Sequence, residues 1–298
     1  MKDAPLQSAP EIEKICRNLL KKSKAWGVFP TPIERIVSYA NLTIEAGIDL
    51  GKIEPGFLSR FEFIPKFAQK VLGMLDYRQK VIYLDHSQQA QKKGFVTLHE
   101  VVHEILPWQQ ALGFMDDEQT LAPEVKEQFE REANFGASAA IFQLELFDEQ
   151  AEKLPLSIKS PLVIAQKAGA SNHSAIRRFV ERSPKRCALL VLHPPEQNGR
   201  FAVRVRDYFQ SPSFTSEFGS LVLPEVFGWD VPFVPEIKFK RRLHEKGRIG
   251  LKTVHGEEIG FTYHFFNNGF NTFVLIFPGG EKNKSRVLIL EKGASQPH

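Results

Sequence analysis

The sequence predicts an α+β protein with three regions: an α-rich region with a short sheet at 1–154, a helical pair at 155–184 and a β-rich region at 185–298. Apolar residues in the first region recur at spacings of three and four, which is typical of helices. After residue 184 the sequence changes to short apolar and β-branched runs separated by Pro-Pro, Asn-Gly and Gly-Gly, which favour strands and turns. A length of 298 residues fits two domains at roughly 100–200 residues each.

The composition is that of an ordinary globular protein, with 42% hydrophobic residues, 25% charged residues and two cysteines. It excludes a fibre, a disordered tail and a disulfide scaffold. No apolar run approaches the roughly 18–20 residues that cross a bilayer, and the first residues lack a secretory signal pattern. With Cys16 and Cys187 far apart in sequence, we expect reduced thiols, a cytoplasmic location and no membrane partner.

The net charge of +4 is distributed unevenly along the chain. Residues 1–150 hold 17 Lys and Arg against 22 Asp and Glu, whereas 151–298 hold 22 against 13. The basic second half fits an acidic partner or nucleic acid, but a solvated surface of mixed charge gives the same totals.

Two amphipathic helices are predicted near the start. The spacing of apolar residues indicates a helix over residues 11–25 that Gly27 ends. A second helix is expected from Ile33 to Ala40, with Thr31 as N-cap and Pro32 at its first position.

A helix, a strand and two further helices are predicted between residues 59 and 146. We expect a third helix from Ser59 to Leu75 and a strand from Lys80 to Asp85. A polar stretch that ends at Gly94 separates this strand from a helix over Phe95–Leu106, and one long helix is expected over Glu124–Leu146.

A short helical pair follows. Ser160 and Pro161 predict the start of its first helix, Gly169 the stop, and Ser171 the N-cap of the second helix. This arrangement resembles a helix-turn-helix whose second helix exposes Arg177, Arg178 and Arg182 to DNA phosphates or a protein partner. Arginines near the C-terminal end of a helix also complement its dipole and can remain solvated. DNA binding is therefore one of two interpretations.

The β-rich region is expected to hold strands over Cys187–Leu192, Phe201–Val205, Gly260–Tyr263, Thr272–Phe277 and Arg286–Leu290. Its many phenylalanines, Phe261, Phe265, Phe266, Phe270 and Phe273 among them, fit either a core or a ligand-sensing pocket.

His99-Glu-Val-Val-His103 is an H-E-x-x-H motif within the helix over Phe95–Leu106. Residues four apart lie on one helix face, so both imidazoles can reach one metal ion. Glu100 can act as the general base for water activated by that metal. A solvated surface helix is the alternative interpretation.

A catalytic zinc site needs a third protein ligand. Glu130 and Asn134 lie four residues apart, which matches the ligand and the His-orienting polar residue of thermolysin-like enzymes. We therefore prefer Glu130 as the ligand and keep Glu132 as the alternative, because the two point to different sides of the helix.

The segment from Lys93 to Trp108, the strand before it and the segment Glu130-Arg-Glu-Ala-Asn-Phe-Gly-Ala-Ser-Ala-Ala140 together resemble the ImmA/IrrE family of zinc metallo-endopeptidases. The resemblance covers roughly residues 30–150. It implies a zincin-like fold with Zn²⁺ on His99, His103 and Glu130, and Glu100 as general base. One departure is Ile141-Phe-Gln-Leu, where the family often has Leu-Leu-Met-Pro.

The resemblance further implies cleavage of a specific cytoplasmic protein, typically a helix-turn-helix repressor that controls stress genes or mobile elements. It also implies a GAF-like domain beyond the helical pair. Tyr83, His86 and His173 are candidates for stabilising the oxyanion. The alternative function is a non-catalytic regulator that binds DNA or a protein through the basic C-terminal half.

Overall fold

The computed structural model describes residues 6–48, 73–85, 90–113, 123–195 and 201–281. The chain divides into two compact units, residues 1–147 with 164–174, and residues 148–163 with 175–298. The predicted α+β class, with a helical region followed by a β-rich region, is confirmed, and the boundaries at 154 and 184 stay predictions. From the start of the chain to the end of the helical pair, the described elements are α1 (Ala9–Lys22), α2 (Ile33–Tyr39), β1 (Thr43–Ile48), β2 (Gly73–Asp76), β3 (Val81–Asp85), α3 (Ala90–Ile105), α4 (Pro107–Gly113), α5 (Pro123–Phe142), α6 (Leu144–Lys153), α7 (Lys159–Ala168) and α8 (Asn172–Glu181).

A small sheet of order β1-β3-β2 supports the helix that carries the H-E-x-x-H motif. β1 runs parallel to β3 and β2 runs antiparallel to it. α3 packs against both β2 and β3. Ile82, Tyr83 and Leu84 of the central strand are buried, as the apolar run at 80–85 predicts.

The helices α1, α3 and α5 pack together through small residues of α5. Ala133, Gly136 and Ala137 are buried there. A Cβ atom added to Gly136 would lie 2.6 Å from Val102 Cγ1 and 3.2 Å from Ile12 Cγ2. Only a glycine therefore lets α5 approach α3 and α1 this closely.

The long helix predicted over Glu124–Leu146 is wrong, because it is divided into α5 and α6 at Gln143. This residue has a φ of 50° and is fully buried. Its side-chain amide accepts a hydrogen bond from Gly27 N and donates to the carbonyls of Ala25 and Val28 and to the hydroxyl of Thr31. These bonds tie the α5–α6 break to the loop after α1.

Thr31 does not cap α2, which corrects a second prediction. Its hydroxyl donates to the carbonyls of Ala140 and Ile141, and Pro32 occupies the N-cap position. The Thr31 side chain therefore forms its hydrogen bonds with the end of α5 and not with the start of α2.

Two further element boundaries differ from those expected. The predicted helix over Ser59–Leu75 lies outside the described residues up to residue 72, and its end is wrong because Gly73–Asp76 form the strand β2. α3 begins at Ala90 rather than Phe95. Gly94 does not precede the helix but lies within it, where an added Cβ would be 2.8 Å from Ile33 Cδ1.

The helical pair is confirmed as α7 and α8, joined at Gly169, which has a φ of 66°. Ser171 Oγ accepts from Ser174 N, so it caps α8 as predicted. The cap of α7 is different, because Ser157 Oγ accepts from Lys159 N while Ser160 Oγ donates to the carbonyl of Pro155.

The second unit holds an antiparallel sheet of order β6-β8-β9-β10-β4-β5-β7. Its elements are β4 (Ala188–Leu192), β5 (Val203–Gln210), α9 (Pro212–Phe218), β6 (Leu221–Val222), β7 (Val226–Phe227), α10 (Phe233–Lys238), β8 (Leu243–Thr253), β9 (Glu258–Asn267) and β10 (Thr272–Pro278). β6 and β7 lie at opposite ends of the strand order but are joined by a three-residue link. Because so short a link spans at most about 15 Å, the sheet must curl until its ends approach each other.

Four of the predicted β runs are confirmed, and the run over Arg286–Leu290 lies outside the described residues. β8 was missed because charged and glycine residues interrupt its alternation, including a bulge between His244 and Gly247. Phe261, Phe265, Phe266 and Phe273 are buried, as a core requires, whereas Phe270 is 76% exposed.

Substitution by alanine should destabilise the fold at Gly136 but leave its stability nearly unchanged at Gly94. Gly136→Ala should lower the free energy of unfolding by about 1–3 kcal/mol, because the new methyl overlaps Val102 in the packed helix interface. Gly94→Ala meets only the end of the Ile33 side chain, so the usual helical gain over glycine, up to about 1 kcal/mol, should largely offset that contact. Urea unfolding of both variants measures the difference, and equal effects would contradict the close packing of α5.

Candidate metal centre

The H-E-x-x-H motif lies on α3, in the part of the helix that is packed against the sheet and α5. His99 and His103 follow each other by one turn, and their ring centroids are 4.7 Å apart in an edge-to-face arrangement. His103 is buried and His99 is partly buried. α5 brings Glu130 to the same place, because its small residues allow the two helices to lie close together.

Three potential ligand atoms converge at this site. His99 Nε2 lies 3.1 Å from His103 Nε2 and 3.2 Å from Glu130 Oε2, and His103 Nε2 lies 3.5 Å from Glu130 Oε1. Tetrahedral zinc ligands at about 2.0–2.1 Å from the metal are separated by about 3.3 Å. The observed spacing therefore fits one zinc ion with two imidazoles and one carboxylate as its protein ligands.

The electrostatics of the cluster suit a cation. Burial acts to lower the pKa of His99, but the hydrogen bond with Glu130, the nearby charge of Glu100 and a hydrogen bond with Asn134 outweigh it and raise the pKa. Burial acts to raise the pKa of Glu130, but its side-chain contacts with His103 and His99 outweigh burial and lower the pKa. Asn134 thus contacts His99, and its role in orienting that ring stays a prediction.

Glu100 lies beside the cluster and against the edge strand β2. It is 8% exposed, and burial raises the pKa of its carboxyl group. A Cβ added to Gly73 would lie 3.1 Å from Glu100 Oε1. The carboxylate is therefore held between α3 and the backbone of β2.

Glu132, the alternative ligand, does not join the cluster. Its carboxylate is 4% exposed and accepts hydrogen bonds from Ser8, Trp108, Gln109 and Gln128. Burial acts to raise its pKa, but the hydrogen bonds, that of Trp108 first, outweigh burial and lower the pKa. The structure thus separates two carboxylates that the sequence left as alternatives.

Gln109 is a residue that sequence reasoning missed. Its Oε1 lies 2.7 Å from His103 Nδ1, and its Nε2 donates to Glu132. It belongs to α4, a separate helix that begins after the motif helix ends, so helical spacing could not relate it to His103. The only sequence signal was its place immediately after Trp108, where the segment that carries the family resemblance ends.

The structure describes two of the three candidates for oxyanion stabilisation, Tyr83 and His173. The hydroxyl of Tyr83 donates to Gln79 Oε1 in the turn before β3. His86 lies outside the described residues. In the part of the chain that the structure describes, the group able to hold a metal consists of His99, His103 and Glu130, without His173.

The three arginines predicted to meet phosphates make contacts within the protein. Arg178 is buried, which corrects its expected exposure. Arg182 forms a bidentate ion pair with Asp148, and Arg177 pairs with Glu181 and lies over the ring of Phe209. These contacts are those of a packed helix.

Sequence comparison relates this region to a known family. Residues 62–179 match the Peptidase_M78 family, which is described as the IrrE N-terminal-like domain. The match includes α3, α5 and the whole candidate metal cluster. No curated protein matches the sequence.

Structure comparison finds a similar fold over nearly the whole chain. A solved structure described as a Mycobacterium tuberculosis transcriptional regulator is similar with a TM-score of 0.55. The likeness covers 96% of this chain and 94% of that chain, at 11% sequence identity. At this identity the likeness concerns the fold.

None of the described helices is long and apolar enough to span a membrane.

The hydrogen bonds on Glu132 predict a pH-dependent contribution to stability. Because the folded pKa is lowered, the contribution is complete above the ordinary carboxyl value of about 4.3 and is lost as pH falls through the folded pKa. Glu132→Gln should cost about 1–3 kcal/mol near neutral pH and progressively less in acid.

Urea unfolding of metal-free protein across this pH range measures the cost. Glu127→Gln makes the same charge change at an exposed position of α5 and should cost almost nothing. A cost for Glu132→Gln that does not diminish in acid would contradict the account.

Proposed function

We propose that this chain is a zinc-dependent endopeptidase of the ImmA/IrrE family, because residues 62–179 match the IrrE N-terminal-like domain. We propose further that it acts in the cytoplasm on a helix-turn-helix transcriptional repressor. The single observation that carries the activity is the convergence of His99, His103 and Glu130 beside Glu100.

The roles of the residues follow from their positions. His99, His103 and Glu130 would hold the zinc ion through two imidazole nitrogens and one carboxylate. A bound zinc ion supplies Lewis-acid chemistry, polarising the scissile carbonyl and lowering the pKa of water. Glu100 accepts the proton of the attacking water at a carboxylate oxygen and then donates it to the leaving amide nitrogen.

The edge strand β2 offers a way to bind the substrate backbone. Within the described ranges, β2 pairs with β3 on one side, and its other side can accept an extended peptide as an added strand. Gly73 has no side chain and lies against Glu100, so a peptide on this strand would pass close to the carboxylate. This geometry favours an extended, locally unfolded segment as the substrate.

The choice of substrate is supported by likeness rather than by a contact. The family resemblance points to helix-turn-helix repressors, and the similar solved structure is described as a transcriptional regulator. A cytoplasmic location is supported by Cys16 and Cys187, which are both buried free thiols. The rival, a non-catalytic DNA-binding regulator, gains no support from Arg177, Arg178 and Arg182, which are engaged within the protein.

Glu100→Gln tests the proposed chemistry. The variant should bind about one equivalent of zinc, because it leaves the three ligands in place, and should lose about 10²–10⁴-fold in cleavage rate. Purified protein would be incubated with repressors encoded near its gene, and products would be identified by mass spectrometry.

Glu127→Gln is the matched control, since it changes an exposed carboxylate that is not part of the cluster. It should cleave at the wild-type rate. Full activity of Glu100→Gln, or wild-type protein that binds no zinc, would contradict the proposed function.

A further inference from the structure

A buried polar chain links His103 to Glu132 and includes no group that reacts in the proposed chemistry. Gln109 is 2% exposed and Glu132 is 4% exposed, and Gln109 lies between His103 and Glu132. From this chain we infer that Gln109 and Glu132 are positioning residues that fix the tautomer and ring orientation of His103. The inference rests on the proposed function, in which His103 is a zinc ligand.

The first step concerns the orientation of the Gln109 amide. Its Nε2 lies 3.4 Å from the carbonyl oxygen of Phe129 and 2.7 Å from Glu132 Oε2. A carbonyl oxygen can only accept a hydrogen bond. The reversed amide would place two acceptors against each other, so the NH₂ group must face Phe129 and Glu132.

The second step concerns the proton on His103. With its NH₂ group turned to Glu132, Gln109 presents Oε1, an acceptor, 2.7 Å from His103 Nδ1. His103 must therefore carry a proton on Nδ1 and donate it. In the neutral ring this leaves the lone pair on Nε2, the atom that faces Glu130 and His99.

The third step explains why Glu132 is held so firmly. Ser8 and Gln128 donate to its Oε1, at 2.7 and 3.1 Å, while Trp108 and Gln109 donate to its Oε2, both at 2.7 Å. These donors come from the start of α1, from α4 and from α5 itself. Glu132 is thus held from three elements, and its one hydrogen bond with Gln109 fixes the amide that contacts His103.

Gln109→Met tests the inference, because it keeps a similar side-chain volume but removes both hydrogen bonds. Removing a residue that orients a ligand typically weakens metal binding by about 10–100-fold. We expect a loss of at least about tenfold in zinc affinity, measured by competition with a chromophoric chelator, and loss of the dominant Nδ1–H tautomer of His103 in nitrogen NMR of the metal-free protein.

Glu132→Gln should weaken zinc binding less than Gln109→Met, because the remaining amide can still accept from Gln109. The double variant should bind zinc no more weakly than Gln109→Met alone, because Glu132 acts through Gln109. Glu127→Gln is the matched control and should keep the wild-type affinity.

Wild-type zinc affinity in Gln109→Met, or losses that multiply in the double variant, would overturn the inference while leaving the proposed function intact. If the wild-type protein binds no zinc, the proposed function fails. The tautomer of His103 in the metal-free protein still decides the inference: a mainly Nε2–H ring in the wild type would overturn it.

Discussion

The close contact of α5 with α3 is the constraint on which the candidate site depends. Gly136 faces Val102 at a distance that no side chain tolerates, and the neighbouring alanines extend this narrow interface along α5. The contact sets how far Glu130 lies from His99 and His103. A larger residue at this point would move one ligand away from the other two, although none of the three would itself be changed.

Amide side chains behind the two histidines form a second layer of contacts with these candidate ligands. Each histidine touches an amide side chain, His103 that of Gln109 and His99 that of Asn134. Oriented ligands need less reorganisation when a metal binds, which is why such outer contacts influence affinity. Glu132 anchors one side of this layer, and its donors reach as far as Ser8 at the start of α1. The first residues of the fold are therefore connected to the metal centre.

The parts of the site that lie on one helix could be predicted from the sequence, because helical spacing alone puts His99 and His103 on one face. Glu130 could be preferred over Glu132 only by a second spacing rule, since both lie on the same helix. The carboxylate of Glu130, and not that of Glu132, lies beside the two imidazoles, and its role as a ligand stays a proposal. Gln109 could not be found, because its contact depends on the turn after Ile105 rather than on any repeat.

The difference between local signals and long-range contacts also explains which predicted elements were wrong. The residue pattern predicts one helix through Gln143. The helix breaks there because the Gln143 amide forms hydrogen bonds with backbone groups of the loop after α1. Thr31 has the chemistry of an N-cap but bonds the end of α5. Long-range hydrogen bonds overrode local preference in both cases. Short-range signals such as Gly169 and Ser171 remained reliable because their partners are only a few residues away.

X-ray absorption spectroscopy of the zinc-loaded protein tests the central claim most directly. An open His₂Glu site predicts two imidazole nitrogens, a carboxylate oxygen and one oxygen from water, all at about 2.0–2.2 Å. Sulfur at about 2.3 Å would contradict the assignment, because it would mean that Cys16 or Cys187 leaves its buried position to bind zinc. A zinc shell closed by four protein ligands would equally contradict it, because no position would remain for the substrate.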